Sequence, residues 1–477
     1  MNKGFLFFIS FLFFLSCQRQ ELFFEDSYVI HKITIVDPLE GLIPNQTVVI
    51  KGDQIFEIYN SKDLLLSSKN KIYDAENSFL IPGLWDAHIH FAYEKELASY
   101  MPDLFLYHGV TSLRDTGGPF DFVNKFKQEA LKSPQTRSRI KIAGPLLDGA
   151  FNVYDGSDAS HPLISIQNVN TTALKKNIEF LVEQKVDFLK AYEMLSPEQF
   201  KILIDLSKKY QLKVTGHIPL SMDVISASNY GLNSVEHFRN IELSMTSLSE
   251  ELLLERKHLL QNESLISGAN LRSQVHNKQR MRSIYSLDSS KLKQVVSVLA
   301  KNDTWQIPTL TLYNNFAEKK YLSDEYAAML ELLPEDIKKL WKSRIEKSNS
   351  DLSDELKDYT KWSKSMVDFM HKQGITFMAG TDTPIGFLIP GLSLHQEIEA
   401  LHNSGLSALE ALQTATVNPA RYFNLQDSLG RIKKNYIADL VILEANPLSD
   451  IRNTKKIKAV IKAGNYLDRN YLDSLVK

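Results

Sequence analysis

Two histidines with a spacing suited to metal binding, His88 and His90, lie in the segment IPGLWDAHIHF, residues 81–91. Side chains alternate along a β-strand, so both imidazoles would face the same side. A neighbouring pair of imidazoles can bind a zinc-like divalent cation. The apolar run that begins at Pro82-Gly83 places the pair near the C-terminal end of a strand. A His-x-His motif alone could also be two polar residues on a solvent-exposed strand face. Whether it binds metal therefore depends on further ligand-type residues elsewhere in the chain.

Histidine, lysine and aspartate residues that could complete a metal site recur where further strands are predicted to end. Each one alone has an ordinary structural explanation, but five of the eight predicted strands end in a metal-ligand residue type or a lysine. We therefore predict one metal site to which these strand ends contribute. The additional candidates are Lys190 in VDFLKAY (186–192), His217 at the end of KVTGH (213–217), His237 at the end of SVEH (234–237), and Asp382 directly after FMAGT (377–381).

Strand and helix patterns alternate between residues 81 and 425, which is typical of a parallel α/β fold. Eight β/α units predict a (β/α)₈ TIM-type barrel, in which the chemistry lies at the C-terminal ends of the strands. Helical periodicity, for example at Leu174, Ile178 and Leu181, supports this assignment. The predicted strands are the segment ending at His90 and residues 110–115, 139–143, 186–191, 213–217, 234–237, 305–311 and 375–381.

Two β-rich regions lie outside this alternation, at opposite ends of the chain. Residues 28–80 contain short strand patterns and a predicted hairpin that turns at Gly52-Asp53. The matching pieces, at 438–443 and 457–464, occur only near the C-terminus. We expect residues 28–80 and 426–477 to form one composite β-domain, with the barrel spanning 81–425.

Two long insertions, 238–304 and 313–374, interrupt the barrel pattern and are charged and helical in pattern. Segments of this length over a barrel mouth often form lids or substrate walls. A surface elaboration for packing or oligomerisation remains the alternative.

The overall composition favours a small-molecule or peptide substrate. The chain has 477 residues, of which 43% are hydrophobic, and its 55 basic and 57 acidic residues give a net charge of −2. This balance gives no reason to expect binding to nucleic acid or to an anionic membrane surface.

The N-terminus has the features of an export signal. One lysine precedes the apolar stretch 4–16, which is too short to span a bilayer comfortably. Cys17, the only cysteine, follows directly, so no disulfide can form within the chain. The sequence Phe14-Leu15-Ser16-Cys17 resembles a bacterial lipobox with Phe in place of the usual Leu. That resemblance implies a signal peptide over 1–16, acylation of Cys17, a tether over 17–27, and a lipid-anchored protein of the bacterial cell envelope. An ordinary secretory signal is the alternative.

The ordered set of candidate ligands resembles the metal-dependent amidohydrolase superfamily, specifically its imidazolonepropionase-like and prolidase-like branch. The resemblance covers almost the whole chain after the signal. It rests on the six positions His88, His90, Lys190, His217, His237 and Asp382, and on the C-terminal motifs Gly391-x₃-His395-x-Glu397, GLSALEAL (405–412), Thr416-x-Asn418-Pro419-Ala420-Arg421 and LGRI (429–432) before IADLV (437–441).

The resemblance implies a centre of two divalent metal ions, with Zn²⁺ the first candidate. His88, His90 and Asp382 would hold the first ion, and His217 and His237 the second. Lys190 would bridge the ions after CO₂ converts its amine to a carbamate. A hydroxide shared by the two ions would attack the scissile carbonyl, and Asp382 would carry the proton to the leaving amine.

Several other residues have weaker assignments. Tyr192 is a candidate for hydrogen bonding a substrate carbonyl or carboxylate, or is a packed tyrosine. Arg114 and Asp115 would form an ion pair at the barrel rim, with a role in substrate binding as the less favoured alternative. His395 and Glu397 would support the site or order loops. Ile218-Pro219-Leu220 differs from the segment common in imidazolonepropionase itself, which argues against that reaction.

These observations predict an exported metal-dependent hydrolase that cleaves amide or peptide C–N bonds of a dipeptide or an N-acyl amino acid. The same two-metal site acting on a lactone or phosphoester is the alternative enzyme. A non-catalytic binding lipoprotein is less favoured because no ligand position is lost. An oligomer is compatible with all three readings.

Overall fold

The structure is a computed structural model that describes residues 21–262, 267–348 and 353–477. The predicted signal peptide and Cys17 lie outside the described residues. In chain order, the strands of the described part are β1 (Ser27–Asp37), β2 (Gly41–Lys51), β3 (Gln54–Asn60), β4 (Lys71–Asp74), β5 (Phe79–Pro82), β6 (Leu84–Ile89), β7 (Val110–Asp115), β8 (Arg139–Ile142), β9 (Leu146–Asp148), β10 (Ser165–Gln167), β11 (Leu189–Ala191), β12 (Val214–Gly216), β13 (Ser234–Glu236), β14 (Trp305–Ile307), β15 (Leu440–Leu443), β16 (Ile457–Lys462) and β17 (Asn465–Asp468).

The α-helices of the described part begin mostly at capping residues. At the start of α5, for example, the Ser196 side chain accepts from the backbone N–H of Gln199, and the Gln199 side chain completes a capping box. The helices are α1 (Lys95–Ala98), α2 (Met101–Tyr107), α3 (Phe120–Lys132), α4 (Thr171–Glu183), α5 (Pro197–Lys209), α6 (Val224–Tyr230), α7 (Ser249–Asn262), α8 (Gly268–Tyr285), α9 (Ser289–Lys301), α10 (Leu310–Ala317), α11 (Asp324–Leu330), α12 (Glu335–Ser348), α13 (Asp354–Lys372), α14 (Leu392–Asn403), α15 (Ala408–Thr414), α16 (Val417–Tyr422) and α17 (Arg469–Ser474).

One sheet combines strands from both ends of the chain. Its order is β17-β16-β15-β5-β1-β2-β3, with β4 also paired to β1. The two ends meet where β15 runs antiparallel to β5, with Leu440 opposite Pro82. The predicted hairpin is confirmed, since β2 and β3 pair antiparallel around Gly52-Asp53. Apolar side chains such as Ile35, Val48 and Ile442 form a core in this sheet that is separate from the main core of the α/β part.

The α/β part contains two parallel sheets, β6-β7-β8 and β10-β9-β11-β12-β13-β14. Backbone hydrogen bonds connect these sheets. Asp187 N donates to Ile142 O (2.9 Å) beside β8, and the segment 376–383 bonds both to β14 and to the region of β6. With helices following most strands, this is an α/β fold of the TIM-barrel type with an additional β-domain.

Not all eight predicted strands are regular. Residues 375–381 form only an isolated bridge, in which Phe377 pairs with Gln306. Just beyond them Asp382 takes a left-handed conformation, with φ of 68°, which ends the extended backbone. The third predicted strand, 139–143, is observed as β8, and Gly144, whose φ is +75°, separates it from a further short strand, β9, that was not predicted.

The insertions are helical, as their patterns indicated. Helices α7, α8 and α9 occupy much of 238–304, and α11, α12 and α13 lie within 313–374. Across 21–262, 267–348 and 353–477, no helix is both long and apolar enough to cross a membrane.

Candidate metal centre

All six predicted ligand side chains line one small cavity, whose volume is about 30 Å³. Each is buried, with Asp382 the most exposed at 6%. The side chains come from the C-terminal ends of β6, β11, β12 and β13 and from the segment after residue 381. Parallel strands bring these ends to one face, which is why residues almost 300 positions apart meet. Tyr192 also lines the cavity and is 3% exposed.

Three of the ligand atoms converge closely. Nε2 of His88 lies 3.3 Å from Nε2 of His90, and Oδ1 of Asp382 lies 3.1 and 3.2 Å from these two nitrogens. His88, His90 and Asp382 therefore form a cluster that can hold a metal ion. Three lone-pair donors this close repel one another unless protons or a cation lie between them, and two imidazole nitrogens with one carboxylate are a ligand set that suits zinc.

The ring nitrogens on the far side of this pair already have acceptors. Nδ1 of His88 lies 2.6 Å from Oε2 of Glu236, and Nδ1 of His90 lies 3.0 Å from the carbonyl oxygen of Gly117. Each Nδ1 thus carries the proton as donor, which leaves Nε2 as a lone pair directed to the cavity. Metal-binding histidines are oriented in this way in many proteins.

His217 and His237 follow the same rule. Nδ1 of His217 lies 2.6 Å from Oε1 of Glu193, and Nδ1 of His237 lies 2.6 Å from Oγ1 of Thr309. The Thr309 hydroxyl donates to the carbonyl of Pro308 at 2.8 Å, so it accepts from His237. Burial lowers the pKa of His217 to about 3, so this imidazole is neutral and able to bind a cation at physiological pH.

The backbone is strained at two of the ligand positions. His237 and Asp382 have φ of 59° and 68°, in the left-handed region that residues with a Cβ seldom occupy. Such conformations persist where the surrounding structure fixes them, and they concentrate at functional sites. In this conformation both side chains line the cavity.

Lys190 is the unusual member of the group. Its side chain is 1% exposed, and its Nζ has no hydrogen-bond partner in the described structure. The Oε1 atom of Glu236 lies 3.9 Å away. Burial lowers the pKa of Lys190 to about 8, so a neutral amine is accessible near physiological pH. An isolated buried amine is costly, whereas an amine with an added carboxylate could bind cations beside it.

The predicted rim ion pair between Arg114 and Asp115 is wrong. Nη2 of Arg114 donates to Oε1 of Glu236 at 2.6 Å, whereas Asp115 accepts from the backbone N–H groups of Phe91 and Gly117. Successive side chains of a strand point to opposite faces, so the two residues cannot meet. Arg114 instead holds the carboxylate that orients His88.

The two residues of the C-terminal motif have different surroundings. Glu397 accepts from the backbone N–H of Thr311, in the first turn of α10, at 2.6 Å and so fixes the end of the loop where Thr309 precedes this helix. His395 contacts Thr454 and the carbonyl of His108, both at 3.0 Å, and does not line the cavity. Loop ordering is therefore confirmed for Glu397, and His395 ties α14 to neighbouring segments.

Several site residues were not identified from the sequence. Glu236 could have been noticed, because it is a charged residue inside a buried strand, next to His237. Glu193 follows the predicted site residue Tyr192 directly. Thr309 falls within the predicted strand 305–311, but β14 ends at Ile307 and Thr309 takes a left-handed conformation with φ of 48°, which the strand pattern did not predict. Arg239, which lines the cavity, and Arg272, whose Nη1 lies 3.3 Å from the Tyr192 hydroxyl oxygen, belong to the first insertion.

The chain matches the amidohydrolase family over residues 79–467, and it belongs to that family. Among curated proteins it is similar to ochratoxinase from Aspergillus niger, with 37% identity over 91 residues. That alignment spans 19% of this chain and 18% of ochratoxinase.

Solved structures with the same fold cover nearly the whole chain. A crystal structure described as a Xaa-Pro dipeptidase with bound methionine aligns with a TM-score of 0.66 at 17% identity, covering 93% of this chain and 100% of the other. A putative prolidase from Bifidobacterium longum gives 0.63 at 21% identity, covering 94% and 98%. The A. niger ochratoxinase structure gives 0.64 at 16% identity, covering 93% and 96%. At these identities the likeness establishes the fold, and family membership supports a hydrolase.

Proposed function

We propose that this chain is an exported hydrolase that cleaves the amide or peptide C–N bond of a dipeptide or an N-acyl amino acid with the help of two divalent metal ions. One observation carries the proposal: four imidazoles, each with Nδ1 already hydrogen-bonded, line a single buried cavity together with Asp382 and Lys190. The amine of Lys190 has no hydrogen-bond partner in the described structure. This is a donor set for cations, and its place at the C-terminal strand ends is where barrels of this type carry out chemistry.

The ligands divide into two groups in this proposal. His88, His90 and Asp382 hold one ion, His217 and His237 hold the other, and Lys190 contributes to both as a carbamate formed with CO₂. Zn²⁺ is the first candidate because imidazole nitrogens and carboxylate oxygens are its common ligands. Bound divalent ions would supply Lewis acidity, which acidifies water and polarises a carbonyl oxygen.

The proton transfers in this proposal are carried by Asp382. Its carboxylate takes a proton from the attacking water and delivers it to the leaving nitrogen. Burial raises the pKa of Asp382, but positive charge on His237 and His88, when they are protonated, outweighs burial and holds that pKa well below its usual range. Bound cations would have the same effect. Asp382 is therefore ionised and can accept a proton. Tyr192 supplies a hydroxyl group that can bind the carbonyl or carboxylate of the substrate.

The site is carried by a (β/α)₈ barrel over 81–425 in the proposed organisation. The composite β-domain comprises 28–80 and 426–477. The shared sheet of β5 and β15 and the separate apolar core around Ile35 support this division.

A hydrolysis screen tests the proposed reaction. The metal-loaded protein is offered dipeptides, N-acetyl amino acids, lactones and phosphoesters, with product release measured directly. Cleavage of dipeptides or N-acetyl amino acids that is lost on chelation supports the proposal. Preferential cleavage of lactones or phosphoesters would assign the alternative reaction. A protein that binds these compounds without cleaving them would be a binding lipoprotein.

We also propose that the protein is anchored in the bacterial cell envelope through acylated Cys17. The apolar stretch 4–16 directly before the sole cysteine supports this proposal. Cys17→Ser should abolish lipid labelling and release the protein from the membrane fraction or leave it uncleaved. Lipid labelling that persists in this variant would exclude the anchor.

A further inference from the structure

A second cavity, with a volume of about 220 Å³, lies at the opposite end of the barrel from the candidate metal centre. Its walls include Arg139, the first residue of β8, and Asp187, which precedes β11. The metal-ligand candidates lie at the C-terminal ends of strands that run parallel, so residues at the N-terminal ends lie on the opposite face. Lys462 of β16 also lines the cavity, which therefore lies between the α/β part and the β-domain.

Basic side chains dominate the polar lining of this second cavity. They are at least partly buried, with side-chain exposures that run from 1% for Lys462 to 36% for Arg137. Four of them share the carboxylates of Asp187 and Asp439, and the fifth pairs with Asp103. Five positive charges therefore contact three negative ones, which leaves an excess of positive charge around the cavity. The basic residues are Lys127, Arg137, Arg139, Lys141 and Lys462.

The two shared carboxylates are already occupied by donors. Each oxygen of Asp187 accepts from a lysine, at 2.9 and 2.7 Å, and Oδ2 also accepts from the backbone N–H of Ile142. Each oxygen of Asp439 accepts from Lys462, at 3.0 and 3.1 Å, and from one further donor. In contrast, the Nε atom of Arg139 is buried and has no hydrogen-bond partner in the described part of the chain. The positive charge that remains can therefore attract an anion from solution.

Much of the remaining lining of the cavity is apolar. Sites for small molecules commonly combine apolar walls with a few charged or polar groups that fix the orientation of the ligand. An inorganic anion would leave the apolar wall in contact with water, and a neutral apolar compound would leave the excess charge unmatched. A small organic acid matches both parts of the cavity. The apolar wall includes Leu131, Ile140, Leu425, Leu429 and Ile437.

We propose that this cavity is a second binding site, separate from the metal centre, and that it binds a small organic anion that carries an apolar group. Arg139 and Lys141, two residues apart on one face of β8, bind the acid group through charge-assisted hydrogen bonds. Leu429 and Ile437 contact the apolar group. The bound molecule touches both the α/β part and the β-domain, so it links the two. This inference does not depend on the reaction proposed for the metal centre.

The test measures binding by titration calorimetry of the metal-loaded, full-length protein with three probes. Hexanoate has the proposed chemistry, hexanamide has the same chain without the charge, and inorganic phosphate has charge without an apolar group. Hexanoate should bind about 10- to 100-fold more tightly than hexanamide, the difference expected of hydrogen bonds to charged groups. Phosphate should also bind more weakly than hexanoate. Equal affinities for hexanoate and either of the other probes, or no binding of hexanoate, would overturn the proposal.

Variants locate the bound hexanoate, because a carboxylate could also bind at the metal ions. Arg139→Gln should weaken the binding of hexanoate about 10-fold or more and leave that of hexanamide unchanged. Lys127→Gln should also weaken it, and it decides the test if Arg139→Gln does not fold. Lys125→Gln is the matched control, since Lys125 lies on the same helix α3, pairs with Glu129 and is 69% exposed. Wild-type affinity in the Arg139 and Lys127 variants would place hexanoate elsewhere and overturn the site.

Discussion

The two halves of the candidate metal centre differ in how completely the side chains alone assemble them. In the first half, ligand atoms of His88, His90 and Asp382 lie within 3.1–3.3 Å of one another. In the second half, His217 and His237 are held in orientation, but the Nζ of Lys190 has no hydrogen-bond partner in the described structure. The first half is therefore ready to bind a cation. The second half needs a ligand that an unmodified lysine cannot supply, because an ammonium group has no lone pair and a neutral amine has only one, which cannot serve two ions.

The largest effect is expected from Lys190→Ala, which removes the group proposed to serve both halves. The variant should keep about one metal ion per chain and lose the second, with kcat/KM lower by about 10⁴-fold or more. A short carboxylic acid such as acetate at high concentration should restore part of the metal content and of the activity. Full activity with two ions bound would show that Lys190 bridges nothing.

Asp382→Asn tests the first half. Asparagine retains the size of aspartate and one ligating oxygen but cannot accept the proton, so kcat for an amide should fall by about 10²–10⁴-fold while at least one ion stays bound. A nitrophenyl ester, whose leaving group needs no proton, should be affected less. Equal losses for the amide and the ester in a folded, metal-loaded protein would remove Asp382 from the proton transfer.

Glu193→Gln addresses the orientation of the second half. Glutamine keeps the size of the side chain but weakens the 2.6 Å hydrogen bond to His217. We expect the affinity for the second ion to fall about 10- to 100-fold, with the first ion unaffected. Titration with a chelator of known affinity measures both constants. If the first ion were lost instead, His217 would bind the first ion, and its assignment to the second would be wrong.

The sequence predicted the members of both halves but not what orients them. His217 and His237 were identified because residues of metal-ligand type recur where the predicted strands end. Glu193 and Thr309 also lie close to predicted strand ends, but the histidine that each one contacts is determined by tertiary structure. Arg272 was missed for the same reason: it lies on an insertion helix whose packing over the cavity depends on the whole fold.

Prediction of the fold from the sequence was limited in a similar way. The association of the two chain ends was predicted because the N-terminal β-rich region could not close a core alone, but the particular pairing of β5 with β15 was not. The irregular course of 375–383 was not foreseen: these residues form only isolated bridges, and the positive φ of Asp382 leaves no mark in a strand pattern. Functional positions are where local preference and the final structure disagree.

The smallest effect on the metal centre is expected from changes at Glu397. This residue supports the second half only indirectly, because it binds the first turn of α10 next to Thr309, which orients His237. Burial raises the pKa of Glu397 from its ordinary 4.5 to about 8. The folded state therefore holds this proton more tightly than the unfolded state, and the stability that the proton contributes is lost as the pH rises from about 4.5 to 8. Relative to Glu397→Gln, the wild-type free energy of unfolding should fall by roughly 3.5 kcal/mol between pH 5 and pH 8. If the free energies of unfolding of the two proteins changed with pH in the same way, Glu397 would not be the group that holds this proton.

The dependence of metal content on CO₂ tests the central claim most directly. Metal-free protein is reconstituted with excess Zn²⁺ in CO₂-free buffer and, in parallel, with added bicarbonate, and the bound zinc is measured by elemental analysis. A carbamate on Lys190 predicts about two ions per chain with bicarbonate and about one without it, with Lys190→Ala at about one under both conditions. Two tightly bound ions in CO₂-free buffer, or in the Lys190→Ala protein, would contradict the proposed difference between the two halves.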